Sequence, residues 1–170
     1  MKLTGSIAIS PALSAEQVTY LTRFSQARRM ARTRGVEQAE DPTRDAVGLP
    51  VGAEGEYFVG GDRAGVADVN RAPAGQPSLW CCWCPSDDGS RLTWKGCESD
   101  PSLYPWIAYL VEHFLIPWGI TVNGCIDCHV ENWARLEESG GRLEFDAIAR
   151  IIINNNQITA QRAVLTYEDC

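Results

Sequence analysis

All six tryptophans and six of the seven cysteines of this 170-residue chain lie between Trp80 and Trp133. A stretch so dense in large rings and thiols has two ways to be used. It is either the apolar core around which the rest folds, or a metal or redox site that the rest supports. Everything else the chain can do depends on which.

The thiols come as two clusters, Cys81-Cys82-x-Cys84 and Cys125-x-x-Cys128-His129. A zinc site needs about four such ligands converging, and Cys82, Cys84, Cys125 and Cys128 are the set that could supply them. Strand geometry opposes that set. In extended chain Cys82 and Cys84 share a side, whereas Cys125 and Cys128 fall on opposite sides. No Gly or Pro inside Cys125–Cys128 offers the turn that a zinc knuckle requires. A Cys128–His129 nucleophile pair meets the same objection, because neighbours in a strand point apart, so it would need His113 or a bend. The reading that remains simplest makes the cysteines small buried hydrophobes, with the tryptophans packed around the helix that follows. A zinc-stabilised binding module stays open as the alternative, and no other cofactor is indicated.

Periodicity supplies the elements. Leu3, Gly5, Ile7 and Ile9 alternate as a half-buried strand does. Ser14 and Gln17 have capping-box spacing ahead of a helix with Val18, Leu21 and Phe24 on one side, predicted to run to about Met30 or Arg32. Its end carries Arg28, Arg29, Arg32 and Arg34, which suit a helix C-terminus and also spell a candidate phosphate or acidic-partner site. Residues 35–76 are rich in Gly, Pro, Asp and Ala, and predict a long irregular segment around one strand, Glu56–Val59. Its glycines lack the strand-to-helix setting of a phosphate loop.

Leu79–Cys84 and Arg91–Trp94 predict a hairpin across Pro85–Ser90. Asp100-Pro101-Ser102 introduces a second helix, with Trp106, Ile107, Leu110, Val111, Phe114 and Leu115 as its apolar stripe and Pro117 and Gly119 as its stop. Asn123-Gly124 reads as a turn or bulge before a strand from Cys125 to Val130. Asn132–Gly141 reads as an exposed turn. Asn154–Asn156 reads as the loop of a closing hairpin between Ala147–Ile153 and Gln157–Tyr167. The order predicts an α+β fold: an antiparallel or mixed sheet with two helices on one face, of split βαβ (ferredoxin-like) character, in one domain over 1–170.

Net charge is −7 and the isoelectric point about 4.8. That excludes general binding to nucleic-acid backbones, which needs a basic footprint. No apolar run reaches the roughly 18–20 residues of a membrane span, and the start alternates instead of forming a signal peptide. A cytoplasmic protein with reduced thiols is the expectation. Asp87-Asp88 and Glu137-Glu138 sit in turn-like sequence, so no acid–base dyad is visible.

The pattern Leu79-Trp80…Trp94…Glu112-His113-Phe114-Leu115-x-Pro117-Trp118-Gly119…Asn123-Gly124 resembles a family of small, mostly uncharacterised bacteriophage and prophage proteins from high-GC bacteria. The likeness spans Gly5-Ser6-Ile7 to the Asn154–Asn156 hairpin. Cys125 and Cys128 depart from the family, whose members usually carry polar or acidic residues there. The resemblance implies a phage accessory protein in the host cytoplasm, without enzymatic activity. Such a protein would inhibit a host protein or nucleoprotein complex in the anti-defence, anti-CRISPR-like manner. An acidic surface suits a basic partner. The expected contacts are Glu54, Glu56, Asp87, Asp88, Glu131, Glu137 and Glu138. A third possibility is an enzyme using a small-molecule or nucleotide pocket beside Trp80 and Trp118.

Overall fold

The computed structural model describes residues 2–33, 40–60, 65–96, 103–129 and 148–162. Strand β1 (Lys2–Ser10) leads into helix α1 (Ala15–Gln26), strand β2 (Ala31–Arg32), the one-turn helix α2 (Pro42–Asp45) and strand β3 (Val66–Asp68). The hairpin β4 (Trp83–Pro85) and β5 (Arg91–Trp94) precedes helix α3 (Leu103–Leu110). Strand β6 (Thr121–His129) and the hairpin β7 (Ile148–Asn154) and β8 (Gln157–Arg162) complete the order.

Six strands form one antiparallel sheet in the order β4-β5-β1-β6-β7-β8, and β2 pairs with β3 apart from it. The α+β class expected from the sequence is the class observed. β5 and β6 flank β1 and so run parallel to each other, connected through α3.

One apolar core joins the sheet to both long helices. Ile7, Ile9, Val122, Ile126, Ile151 and Ile153 point into it from the strands. Tyr20, Leu21 and Phe24 come from α1, and the whole predicted stripe from Trp106 to Leu115 is buried. Side chains on the alternate strand positions face away from the helices, and Thr4, Ser6, Ala8, Asn123 and Cys125 are exposed there. The tryptophan-rich stretch is therefore mainly core. Trp83 and Trp106 are each 1% exposed, and each indole N–H finds an acceptor, Leu103 O at 3.1 Å and Ser78 Oγ at 2.7 Å.

The capping box forms as predicted: Ser14 Oγ accepts from Gln17 N, and Gln17 Oε1 accepts from Ser14 N. The helix ends at Gln26, earlier than its periodicity suggests. Beyond it the backbone amides of Arg29 and Ala31 donate to Leu79 O and Arg71 O, both at 2.7 Å. Tertiary partners outcompete the next helical turn. For the same reason Glu56–Val59 is not a strand. The chain there makes a 3-10 turn at Ala53–Gly55, and the segment's strand is instead Val66–Asp68, paired with Ala31–Arg32.

Asn123-Gly124 is not a turn either; β6 runs unbroken through it. What glycine provides here is close approach. A methyl at Gly124 would overlap Ser6 O, and one at Gly5 (φ +113°) would overlap Cys125 O. The two central strands meet only because both positions lack Cβ.

The closing hairpin has a two-residue Asn155-Asn156 turn, both at positive φ, as a type I′ turn requires. Asn156 also bonds across to β6, accepting from Val122 N at 2.7 Å and donating to Ile120 O at 3.0 Å. The last turn of the second long helix widens, with Ile116 N donating to Val111 O five residues back at 2.9 Å. Pro117 explains this, since it has no N–H for the next helical bond and its ring clashes with the carbonyl four residues before it. No helix among the described residues is long and apolar enough to cross a membrane.

Candidate functional site

Several places among the described residues bring chemistry-bearing side chains together. The first is a polar knot between α1, the 40–80 segment and α3. Arg29 is 2% exposed. Its guanidinium donates to Gln76 Oε1 at 3.0 Å, to Phe58 O at 2.8 Å and to Glu56 O, and stacks over the Phe24 ring at 4.2 Å. Gln76 Nε2 donates to Glu56 O at 2.7 Å and to the Tyr109 hydroxyl at 3.2 Å. Tyr109 in turn donates to the Glu56 carboxylate at 2.6 Å. Burial, with the Glu56 carboxylate next, pushes the Tyr109 phenol well above its usual pKa, so it stays a donor. Burial also lowers the pKa of Arg29.

The basic run after α1 is thus a clasp for the long segment. Arg28 bonds Val69 O and Asn70 Oδ1, each at 3.0 Å, and Arg32 is buried against the Phe58 ring. Arg34 lies outside the described residues. Arg29 and Arg32 are buried and so do not present an anion site, whereas Arg28 is exposed with its guanidinium bonded to Val69 and Asn70. Asp41 completes the clasp, capping α2 through Arg44 N and accepting from Val59 N at 2.8 Å. Periodicity carries no signal for Gln76 or Tyr109. The Asp41-Pro42 dipeptide was a visible helix-start cue.

At the rim of the knot His113 is half-buried. Its ring lies 4.1 Å from that of Tyr109, and its Nδ1 is 3.4 Å from the Tyr57 hydroxyl. This is a packed aromatic corner.

The acidic contact candidates separate by what holds them. Glu56 is consumed in the knot, and Glu54 pairs with Arg71 at 3.2 Å. Asp88 organises the β4–β5 turn, accepting from Ser86 Oγ at 2.6 Å, Ser90 N at 3.0 Å and Ser90 Oγ at 2.8 Å. Asp87 beside it is exposed. Glu131, Glu137 and Glu138 lie outside the described residues. Acidic and basic side chains are equal in number among the described positions, so the whole −7 excess resides in the others.

The hydrogen bonds to Asp88, from Ser86 first, hold its carboxyl at about 2, well below the usual aspartate value. A depressed folded-state pKa contributes stability that is present above the unfolded value near 3.9 and lost as pH falls through the folded one. Asp88→Asn is therefore expected to lower the melting temperature at pH 7. The gap to the unsubstituted chain should close as pH falls from about 4 toward 2. Thermal melts of both proteins across that range check it, and a gap constant with pH would remove the carboxylate from the account.

The cysteines do not converge as the zinc reading needs. Cys82 is disulfide-bonded, so it is not a thiolate ligand, and the expectation of reduced thiols does not hold there. β4 and β6 are separated by β5 and β1, roughly 14 Å at the usual strand spacing, which parts Cys84 from Cys125 and Cys128. Cys125 is exposed on the sheet's open face and Cys128 packs against the core on the other. No cluster of three or more His, Cys, Asp or Glu suited to a metal is found among the described residues. Cys81 is fully buried, and that burial pushes its thiol up to about 12. It is an inert core residue.

A pocket of about 370 Å³ opens beside Trp80, lined by Ser25, Gln26, Cys82, Cys84, Lys95 and Gly96. Trp118 is not part of it; that ring packs on Tyr20 and Phe114 instead. The pocket next to Trp80 expected from the sequence thus exists without its second tryptophan. No family model matches the sequence, and no curated protein or solved structure matches it.

Proposed function

We propose that this protein acts by binding, as a phage accessory protein that occupies a basic surface of a host protein or nucleoprotein complex in an anti-defence manner. The observation that carries this reading is the distribution of charge. The described residues are electrically balanced, and their best-placed carboxylates, Glu54, Glu56, Asp41 and Asp88, are engaged within the fold. The excess acid is held elsewhere, including Glu131, Glu137 and Glu138, with exposed Asp87 at the tip of the β4–β5 hairpin. Net charge of one sign steers association with a surface of the opposite sign. The contact set is therefore Asp87, Glu131, Glu137 and Glu138, with Glu54 and Glu56 assigned to the fold.

Affinity capture from host lysate identifies the partner, and titration calorimetry with that partner measures the effect. Reversing the four carboxylates to lysine is expected to weaken binding by about tenfold or more, with a weaker dependence on salt, while the circular dichroism spectrum is unchanged. Undiminished affinity of the fourfold variant would sink the electrostatic reading.

A further inference from the structure

The six-stranded sheet ends differently on its two sides. At one edge β4 is short, buried and closed by Pro85, which has no N–H to offer a further strand. At the other edge lies β8. Between Gln157 and Gln161 it has no proline and no charge, and its register with β7 is unbroken. Gln157, Thr159, Ala160 and Gln161 are exposed there, and Ile158 is half-buried. Among the described residues β7 is the sole bonding partner of these positions. Proteins usually blunt such an edge, because its outward amides and carbonyls are a template for another strand.

The hairpin fixes which backbone groups face outward. Asn154 and Gln157 close a two-residue turn as a hydrogen-bonded pair, and bonded and non-bonded pairs alternate from there. The N–H and C=O of Gln157, Thr159 and Gln161 therefore point to β7, while those of Ile158 and Ala160 point out. Side chains divide by the same alternation. Ile158 and Ala160, opposite the buried Ile153 and Ile151, lie on the helix side, and Gln157, Thr159 and Gln161 lie on the open face.

This edge is complementary to itself. About a two-fold axis through Thr159, Gln157 meets Gln161, Ile158 meets Ala160 and Thr159 meets its own copy, with no like charges opposed. Ile158 of one copy and Ala160 of the other then exchange both of their outward backbone bonds. The large Ile158 side chain covers the exposed Ala160 and extends the apolar floor of Ile151 and Ile153. We propose that β8 is a self-association edge, at which two copies of this chain pair antiparallel and join their sheets into one. A second copy matches the edge in bonding register, side-chain size and polarity at once. This inference is independent of the proposed partner binding.

Sedimentation equilibrium of the full chain across a concentration series is expected to show a reversible dimer, at twice the 18.7 kDa of one chain. Ala160→Pro takes away half of the N–H donors at the joint and none from the β7 ladder. It should weaken dimerisation by about tenfold or more, with an unchanged circular dichroism spectrum. Thr159→Lys sets two ammonium groups face to face on the axis and should act in the same direction. Thr159→Cys reads the register. A non-hydrogen-bonded pair brings Cα atoms to about 4.5 Å, within disulfide reach, so mild oxidation should give more covalent dimer than the unsubstituted chain gives. Gln157→Cys, about 13 Å from its own counterpart, should not. A dimer indifferent to Ala160→Pro and Thr159→Lys, or equal cross-linking at both positions, overturns the proposal. So does a chain that stays monomeric, which would leave the edge to a strand of another protein.

Discussion

Arg29→Met is expected to destabilise the protein by about 3–5 kcal/mol, more than any surface substitution. Methionine keeps an unbranched apolar stem but removes every donor and the guanidinium stacked on Phe24. Glu56 O, Phe58 O and the Gln76 amide oxygen then lose their charged partner inside the fold. An unsatisfied buried acceptor costs about 1–3 kcal/mol, and Phe58 O and the Gln76 amide oxygen are both left so, while Glu56 O keeps the Gln76 Nε2 donor. The loss falls on one link in particular, the attachment of the 40–80 segment to α1 and α3. Urea unfolding should therefore show a lower midpoint, and limited proteolysis should cut that segment first. Arg28→Met provides the comparison, because Arg28 makes similar bonds at an exposed position. If Arg29→Met came within 1 kcal/mol of the unsubstituted chain, the knot would not be what holds the segment.

Phe114→Ala is expected to cost a similar amount, about 3–5 kcal/mol, for an apolar reason. The ring is fully buried, at centroid distances of 5.1 Å from Phe24, 5.6 Å from Tyr20 and from Trp118, 5.7 Å from Tyr57 and 5.9 Å from Tyr109. Its loss leaves a cavity walled by rigid rings on both helices, and rings cannot collapse inward as flexible chains do. Phe114→Leu should lose much less, because it refills most of the volume. Denaturant midpoints for the pair separate cavity from general disturbance; equal losses would mean that the widened turn, not the ring, is what the position supports.

Both residues show how far the sequence can be read. Phe114 was legible, since its place in the stripe from Trp106 to Leu115 follows from helical period alone. Arg29 was legible only as one cation among four at a helix end, with a helix-terminus role as the first reading and an anionic partner as the second. Its burial depends on Gln76, forty-seven positions away, and on carbonyls of Glu56 and Phe58. No local pattern announces a partner at that distance. Glu54 and Glu56 were read as exposed acid for the same reason. They are acidic in a glycine-rich segment, and only closure of the loop brings them to Arg71 and Tyr109.

The tryptophan- and cysteine-rich stretch divides along the same line. Alternation in extended chain already opposed a shared zinc site, and the separation of β4 from β6 by two strands adds distance to that objection. A pocket beside Trp80 was anticipated, but its walls of Ser25, Gln26 and Cys84 arise only where hairpin and helix meet.

Local chemistry alone settles the elements whose period, cap or turn residues lie within a few positions. These are β1, the start of α1, the apolar stripe of the second long helix, and the β7–β8 hairpin with its Asn155-Asn156 turn. Long-range closure decides where α1 stops, that Asn123-Gly124 continues a strand, and which charges are interior. The physical reason is common to all three. Backbone amides and charged side chains take whichever partner the folded chain offers, and those partners come from segments dozens of residues away.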